Sequence, residues 1–404
     1  MMGFRRLSEL DVAGRRVFVR VDFNVPLSAE GKITDDTRIV ASLPTLRYLI
    51  GKGARLVVAS HLGRPKGKRD SKQSLRPVRD LLEKFMRQPV GFAEWIVGLE
   101  AEAASRALEP GNILMLENLR FDPREEANDP EFSRALAGLA DAYVNDAFGA
   151  AHRAHASTEG IAAELPENAA GFLLERELNA LGRLLSDSAH PYVAILGGAK
   201  ISGKIDVLSN LLPRVDRLVV GGGMMFTFLR AQGRSTGRSL VEEDRIATAK
   251  ELLSDPTRAA KILIPSDCRV AEDISGKDPG RVVPVSAIPA DRAGVDIGPT
   301  SLTLIADTLS EARTIFWNGP MGVFEVPAYA EGTVGVALEV AKATKRGAFT
   351  VVGGGDSLAA VNRAGVESQI SHCSTGGGAS LEFLEGNTLP GVAALSTAAK
   401  TRAR

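Results

Sequence analysis

The sequence has few of the residues that build disulfide-rich or zinc-binding proteins. Only two of its 404 residues are cysteines, Cys268 and Cys373, and they lie far apart with no CxxC or Cys/His ligand spacing. This pattern predicts neither a disulfide framework nor a zinc site, and it fits a reducing compartment. His152 and His155 are three residues apart, but no third ligand of matching type follows them, so a metal pair there is disfavoured.

The chain also lacks an excess of charge and a long apolar run. Lys plus Arg and Asp plus Glu both total 49, so no overall field attracts nucleic acid or a membrane surface. No apolar stretch reaches the roughly 18–20 residues that span a bilayer. The first residues, MMGFRR, are not followed by an apolar signal segment. We therefore expect a soluble cytoplasmic protein that binds neither nucleic acid nor membrane.

Short β-branched runs alternate with longer amphipathic stretches along the whole sequence. This alternation is typical of βαβ units and a parallel sheet. The predicted strands are Val17–Val21, Leu56–Ser60, Ile113–Leu116, Ala142–Asn145, Tyr192–Leu196, Leu218–Val220, Lys261–Ile264, Thr314–Trp317 and Phe349–Val352. The predicted helices include Thr37–Gly51, Pro77–Phe85, Ser133–Leu139, Gly203–Leu212, Asp244–Leu253 and Gly332–Thr344.

The length is too great for one ordinary hydrophobic core and suits two. A helical stretch without strand signal, Phe172–Leu185, is the expected divide between them. We predict two Rossmann-like α/β domains, each a parallel sheet flanked by helices, facing across a hinged cleft. The predicted boundaries are residues 1–172 for the first domain, 173–189 for the connecting helix and hinge, 190–390 for the second domain and 391–404 for a C-terminal segment.

Cationic side chains follow several strands of the first half, where ligands of open parallel sheets gather. They are Arg38, His61, Arg64, Arg120 and Arg153. Guanidinium groups pair bidentately with phosphate and carboxylate, so their convergence predicts a site for a small polyanion. Asp22 and Asn24 are placed to bind a hydroxyl of that ligand. Any single arginine here is better explained as a solvated or ion-paired loop residue; four of them after strands favour the anion site.

Glycine-rich loops follow the strands of the second half. Glycine lets backbone N–H groups approach a ligand closely, and each loop is predicted to open a helix whose N-terminus favours anions. Lys200 and Lys204 are placed to neutralise phosphates, Asp356 to hold Mg²⁺ and Glu325 to accept from ribose hydroxyls. The loops are Gly197–Lys204, Gly221–Gly223, Asn318–Glu325, Gly353–Ser357 and Ser374–Gly378. Together they predict a nucleotide site.

One loop matches the core of a P-loop. Gly198 to Lys204 reads G-x-x-x-x-G-K, but Ile205 follows where a P-loop needs a Ser or Thr hydroxyl. A P-loop kinase or NTPase also leaves the arginines without a use. A two-lobed nucleotide sensor without turnover is a second alternative, disfavoured by the presence of Arg38, Lys200 and Asp356.

With these segments assembled, the sequence resembles the phosphoglycerate kinase family over nearly its whole length. The segments that carry the resemblance are RVDFNVP (Arg20–Pro26), SHLGRP (Ser60–Pro65), ENLRF (Glu117–Phe121), NDAFG (Asn145–Gly149), HRAH (His152–His155), LGGAK (Leu196–Lys200), GGG (Gly221–Gly223), WNGPMGVFE (Trp317–Glu325), GGGDS (Gly353–Ser357) and STGGGA (Ser374–Ala379). The departures are small: Ile201–Gly203 between the lysines, Met224–Phe226 after the glycine triplet, and an alanine-rich C-terminus.

The resemblance implies reversible phosphoryl transfer from 1,3-bisphosphoglycerate to MgADP, giving 3-phosphoglycerate and MgATP, in glycolysis and gluconeogenesis. It implies that the first domain binds 3-phosphoglycerate through Asp22, Phe23, Asn24, Arg38, His61, Leu62, Gly63, Arg64, Arg120 and Arg153. It implies that the second binds the nucleotide through Gly197, Gly198, Lys204, Gly221, Gly222, Gly294, Val295, Pro320, Glu325, Gly354, Gly355, Asp356 and Ser357, with Gly294 and Val295 at the adenine. Arg38, Lys200 and Lys204 are implied to be catalytic, with Mg²⁺ on Asp356. It further implies a monomer whose last residues, 391–404, pack back on the first domain.

Overall fold

A computed structural model describes the backbone of residues 3–401 and the side chains of residues 3–395. The chain forms two compact units. The first consists of the residues up to Asn179 together with those from Thr388 onward, and the second runs from Ala180 to Asn387. The division falls inside one helix, Phe172–Ser186, so both units include part of it.

The first unit is built on a six-stranded parallel sheet. Its strands are β1 (Arg16–Arg20), β2 (Arg55–Ala59), β3 (Val90–Ala93), β4 (Ile113–Leu116), β5 (Ala142–Asn145) and β6 (Asn168–Ala170), in the order β3-β4-β2-β1-β5-β6. The central strands are rich in Val, Ile and Leu and are buried, as expected for a sheet covered on both faces. Its helices before the C-terminal one are α1 (Thr37–Gly51), α2 (Arg76–Met86), α3 (Leu99–Arg106), α4 (Pro123–Glu126), α5 (Pro130–Ala137), α6 (Ile161–Glu164) and α7 (Phe172–Ser186).

The second unit has a parallel sheet of its own. It has six strands in the order β15-β14-β13-β7-β8-β9. These strands are β7 (Tyr192–Leu196), β8 (Arg217–Val220), β9 (Ile262–Leu263), β13 (Thr314–Asn318), β14 (Phe349–Gly353) and β15 (His372–Ser374). A separate antiparallel sheet has three strands in the order β11-β10-β12. They are β10 (Asp267–Ala271), β11 (Arg281–Pro284) and β12 (Ala293–Ile297).

Helices cover the sheet of the second unit, and one more helix returns to the first. In the second unit they are α8 (Ile205–Leu211), α9 (Met224–Ala231), α10 (Ile246–Ser254), α11 (Pro256–Lys261), α12 (Pro299–Ser310), α13 (Glu331–Lys345), α14 (Gly355–Arg363) and α15 (Gly378–Leu384). The last helix, α16 (Pro390–Thr401), packs on the first unit, where the Gly391 N–H donates to the Ala151 carbonyl at 2.9 Å. Within the described residues, no helix is long and apolar enough to cross a bilayer.

The predicted fold class, two parallel sheets each flanked by helices, is confirmed. All nine predicted strands are present within two residues of the predicted bounds. Three short edge strands were missed, β3, β6 and β15, because runs of three or four residues carry little periodicity. The antiparallel sheet was missed as well, since β11 and β12 contain Arg, Asp, Gly and Pro instead of an apolar run.

Candidate functional site

The predicted anion-binding residues lie at one edge of the first sheet. Asp22 and Asn24 follow β1, His61 and Arg64 follow β2, Arg120 follows β4, Arg153 follows β5 and Arg38 lies in the first turn of α1. The chain leaves β1 towards β2 on one side and returns to β5 on the other. Such a reversal of strand order creates a crevice at the carboxyl ends of the strands, where ligands of this architecture bind. We call this group of seven residues the arginine site.

Hydrogen bonds join the loops of the arginine site. Arg38 Nη1 lies 2.9 Å from Asp22 Oδ2, and the Gly63 N–H donates to Asn24 Oδ1 at 2.8 Å. Arg120 Nη1 donates to the Gly63 carbonyl at 2.8 Å. The loops after β1, β2 and β4 are therefore fixed to one another by contacts of their own, and such rigidity favours tight binding of a small molecule.

The predicted residues of this site differ in exposure. Arg64 is exposed and Arg153 half-buried, whereas His61 and Arg120 are each 5% exposed. Phe23 and Leu62 are buried in the apolar core. Their N–H groups already donate to Ser60 Oγ and Asn118 Oδ1. Phe23 and Leu62 thus anchor the loops in the core, while Arg64 and Arg153 reach the protein surface.

Positive potential dominates the arginine site. Burial holds the pKa of His61 well below its usual value, and the charges of Arg20, Arg120 and Arg38 lower it further. Burial also lowers the pKa of Arg120, an effect that Glu126 opposes and that Arg153 and Arg20 reinforce. Apart from burial, the charges that act most strongly on His61 are those of guanidinium groups, and an anion is the ligand that such a field favours.

One member of this cluster was missed by the sequence analysis. Arg20 is the last residue of β1 and only 1% exposed, and its Nη2 lies 3.2 Å from His61 Nδ1. Arginine is almost never fully buried unless it is paired. Its place inside the RVDFNVP segment, at the end of a buried strand, was the available signal.

Backbone contacts assemble the glycine loops of the second unit. The Gly197 N–H donates to the Asn318 carbonyl at 2.9 Å, the Gly198 N–H to Pro320 at 2.8 Å and the Gly222 N–H to Met321 at 3.0 Å. The loops after β7, β8 and β13 therefore lie side by side at the point where this sheet reverses its strand order, between β7 and β13. We call these three loops, together with the Gly353–Ser357 loop after β14, the glycine-loop site.

Close approach explains part of the glycine content. Gly222 has φ +63°, and a Cβ there would lie 2.6 Å from both the N and the O of Gly198. Gly222 therefore has a structural role, because no larger residue fits between the two loops. The same packing holds the helix starts that follow these loops in fixed positions.

The sequence predicts that each glycine loop opens a helix directly, and this prediction is wrong for one of the loops. α9 follows Gly223 at once, and α14 begins at Gly355 after Gly354, which has φ +91°. The Asn318–Glu325 loop instead leads into a short 3₁₀ turn, Pro327–Tyr329, before α13. Pro320 in this loop has no N–H to donate to a helix, and its carbonyl accepts the Gly198 N–H of the loop after β7.

Lys204 points into the loops of the glycine-loop site. Its Nζ donates to the carbonyls of Gly197 at 2.5 Å and Asn318 at 3.1 Å, and burial lowers its pKa to about 8, against the opposing charge of Asp356. Lys200, by contrast, is exposed. Ser357 Oγ accepts the Gly319 N–H at 2.6 Å and joins the β14 loop to the β13 loop.

Asp356 is the predicted metal ligand. It is exposed in the first turn of α14, between Gly355 and the buried Ser357. Among the described residues no group of three or more His, Cys, Asp or Glu side chains could enclose an ion. A single carboxylate fits Mg²⁺ that keeps its waters and is shared with phosphates, and it does not fit an all-protein cage.

The residues predicted at the adenine lie on β12 of the antiparallel sheet. The Gly294 N–H donates to Ser239 Oγ at 2.8 Å, and a Cβ at Gly294 would lie 2.0 Å from the Phe226 ring. Val295 is buried, and its carbonyl accepts the Val323 N–H at 2.8 Å. This bond joins β12 to the loop that carries Pro320 and the exposed Glu325.

A second missed residue holds the loop between the two lysines. The Glu242 carboxylate accepts from the Ile201 N–H, from the Ser202 N–H at 3.2 Å and from Ser202 Oγ at 2.6 Å. No local pattern marks Glu242, because it lies some forty residues further along the chain.

Comparisons with known proteins bear on both sites. The family model described as phosphoglycerate kinase matches residues 7–387. The phosphoglycerate kinase of Desulforudis audaxviator (strain MP104C) is 57% identical over 97% of this chain and 98% of its own length. The solved phosphoglycerate kinase of Coxiella burnetii superposes with a TM-score of 0.87 at 41% identity, covering 99% of this chain and 100% of that one. That of Pyrococcus horikoshii OT3 gives 0.86 at 34% identity, covering 98% and 99%.

These matches extend over the arginine site and the glycine-loop site alike, so they confirm the resemblance that the sequence segments carry and leave the P-loop alternative without support. The chain belongs to the phosphoglycerate kinase family.

Proposed function

We propose that this chain is a phosphoglycerate kinase that transfers a phosphoryl group reversibly between 1,3-bisphosphoglycerate and ADP, with 3-phosphoglycerate and ATP as the other pair. The observation that carries the proposal is the division of chemistry between the two units. One presents a cluster of guanidinium groups in loops that also carry a carboxylate and an amide and are hydrogen-bonded to one another. The other presents packed glycine loops, a half-buried lysine and an acid at a helix start.

The arginine site suits 3-phosphoglycerate. Its phosphate would bind the forks of Arg64, Arg120 and Arg153, since guanidinium groups pair bidentately with phosphate oxygens. Asp22 and Asn24 would receive the 2-hydroxyl. The carboxylate, which becomes the acyl phosphate, would face Arg38 and His61.

The glycine-loop site suits the nucleotide. The N-terminus of α14 follows Gly354 directly, and a helix N-terminus favours phosphate oxygens. Lys200 and Lys204 would neutralise phosphate charge, Glu325 would accept from the ribose, and Gly294 and Val295 would line the adenine pocket. Asp356 would hold Mg²⁺, which when bound neutralises charge on the nucleotide phosphates.

The reaction asks for alignment and charge stabilisation more than for a nucleophile or base. The acceptor in the ATP-consuming direction is a carboxylate, which needs no deprotonation. Arg38 from one unit and Lys200 and Lys204 from the other would stabilise charge on the oxygens of the migrating group. Because the two ligands bind to different units, the proposal includes domain closure, which also excludes the water that would hydrolyse the acyl phosphate. It also includes a monomer in the cytoplasm.

A coupled assay tests the proposal. The purified chain should form ATP from ADP and 1,3-bisphosphoglycerate, with a rate that depends on Mg²⁺ and on both substrates. A folded protein that binds MgADP without forming ATP would support the alternative of a nucleotide sensor. ATP hydrolysis without an acid substrate would instead indicate an NTPase.

A further inference from the structure

Two buried charges lie beneath the arginine site. Arg20 is 1% exposed and Glu125, in α4, is fully buried. Burying either charge without a partner is costly. Ser157 connects them: Arg20 Nε donates to Ser157 Oγ at 2.8 Å, and Ser157 Oγ donates to Glu125 Oε1 at 2.5 Å. The Ser157 N–H also donates to Glu125 Oε2 at 3.0 Å. We call Glu125, Ser157 and Arg20 the buried relay.

The buried relay ends on His61. Arg20 Nη2 lies 3.2 Å from His61 Nδ1. A guanidinium has donors and no acceptor, so in this contact Nδ1 must accept. A neutral imidazole has one N–H, which leaves the proton of His61 on Nε2. A protonated imidazole would place two donors face to face.

The other groups around His61 do not oppose this tautomer. Asp22, the carboxylate that would favour a proton on Nδ1, has its Oδ1 3.9 Å away, beyond hydrogen-bond distance, and its Oδ2 is paired with Arg38. Burial disfavours the imidazolium most, and the charges of Arg20, Arg120 and Arg38 add to this effect on the pKa of His61. The pKa of His155 is itself lowered to about 3 by burial and nearby arginines.

We infer that the buried relay is a positioning device that holds His61 as the neutral tautomer protonated on Nε2, and so presents a fixed hydrogen-bond donor to the bound acid. The tautomer follows from the contacts alone, whereas the identity of the acid rests on the proposed function. A neutral donor contributes direction without a second charge to balance. Its protonation state then stays constant through the range in which an ordinary histidine titrates.

Nitrogen-15 NMR of the whole protein tests the tautomer directly. The chain has five histidines, so long-range proton–nitrogen correlation spectra are simple, and His61→Gln identifies the resonances of His61. We expect an unprotonated, pyridine-type Nδ1 and a protonated, pyrrole-type Nε2, unchanged between about pH 6 and 8. A protonated Nδ1, or titration near the ordinary value of about 6.5, would overturn the inference.

A variant of the relay tests the positioning role. Ser157→Ala removes the group between Arg20 and Glu125. It should perturb the nitrogen shifts of His61 and raise KM for 3-phosphoglycerate roughly 2- to 10-fold, with little change in kcat. The matched control is Ser133→Ala, because Ser133 is also buried but its Oγ donates to the Asp129 carbonyl, apart from the relay. An unchanged His61 spectrum and KM in a folded Ser157→Ala protein would overturn the role.

Failure of the proposed function has a different signature. A wild-type protein that shows the expected tautomer but neither binds 3-phosphoglycerate nor forms ATP would support the tautomer and contradict the proposed activity. The spectrum of the ligand-free protein therefore separates the two.

Discussion

The arginine site and the glycine-loop site occupy the same position in their sheets but are constructed differently. In the first unit, charged side chains contact the loops and one another, as in the 2.9 Å pair of Arg38 and Asp22. In the second, backbone meets backbone, as where the Gly198 N–H donates to Pro320. A site built from side chains should be sensitive to changes of charge, whereas a site built from backbone should be sensitive to added volume.

The largest effect on catalysis is expected at Arg38, in the arginine site. It lies in the first turn of α1, its side chain is one-third exposed, and it contacts Asp22. If it stabilises the migrating phosphoryl group, Arg38→Ala should lower kcat by ~10³–10⁵, as for an arginine finger. Arg38→Lys should rescue poorly, because an ammonium lacks the planar fork.

The control for Arg38 lies on the same helix. Arg47 is exposed on α1 and donates to the Phe85 carbonyl, so Arg47→Ala should leave steady-state kinetics unchanged. A raised KM with unaltered kcat in Arg38→Ala would make Arg38 a substrate anchor and contradict the transition-state role.

In the glycine-loop site, Gly222→Ala should destabilise the protein because the added methyl group has no room. The added Cβ would meet Gly198 at 2.6 Å on a residue with positive φ. We expect a loss of about 2–5 kcal/mol in unfolding free energy from strain and overpacking, together with weaker binding of MgADP. Gly233 is the control, since it has φ +77° but no atom within 4 Å of its Cβ position. Gly233→Ala should lose only about 1–2 kcal/mol, and equal losses in denaturant titrations of the two would refute crowding.

Lys204, in the glycine-loop site, should make kcat/KM for MgADP depend on pH. Burial lowers the pKa of Lys204 to about 8, so its cation is lost as pH rises through that value. If the cation neutralises phosphates, kcat/KM for MgADP should fall above about pH 8, roughly tenfold per unit at the limit. Lys204→Arg keeps its charge and should move the fall to higher pH. A pH profile that is the same in both proteins would exclude Lys204 as its origin.

A smaller effect on nucleotide use is expected at Glu242, whose side chain supports the glycine-loop site. Glu242→Gln retains the size of the group that holds Ile201 and Ser202 but removes its charge. Charged acceptors bond more strongly, so kcat/KM for MgADP should fall roughly 2- to 10-fold while KM for 3-phosphoglycerate is kept. The neighbouring Glu243 is exposed, and Glu243→Gln is the matched control. Equal kinetics in both variants would show that the contact has no functional weight.

What could be predicted from the sequence follows from the range of each signal. Long apolar runs such as Tyr192–Leu196 and the residues directly after them are local, so the parallel sheets and most of the two sites were predicted. Arg20 and Glu242 were not, because their roles depend on partners far away in the chain. The inward direction of Lys204, onto the carbonyls of Gly197 and Asn318, depends likewise on how two loops meet.

Calorimetric titration of the whole protein with 3-phosphoglycerate and, separately, with MgADP tests the division of labour most directly. Two exposed side chains, one from each site, keep the variants folded: Arg64 and Asp356. Arg64→Ala should weaken 3-phosphoglycerate binding about tenfold or more and leave MgADP binding intact. Asp356→Asn should weaken MgADP binding and its dependence on magnesium, and leave the acid unaffected. The reverse pattern, with Arg64→Ala impairing MgADP and Asp356→Asn impairing the acid, would contradict the account.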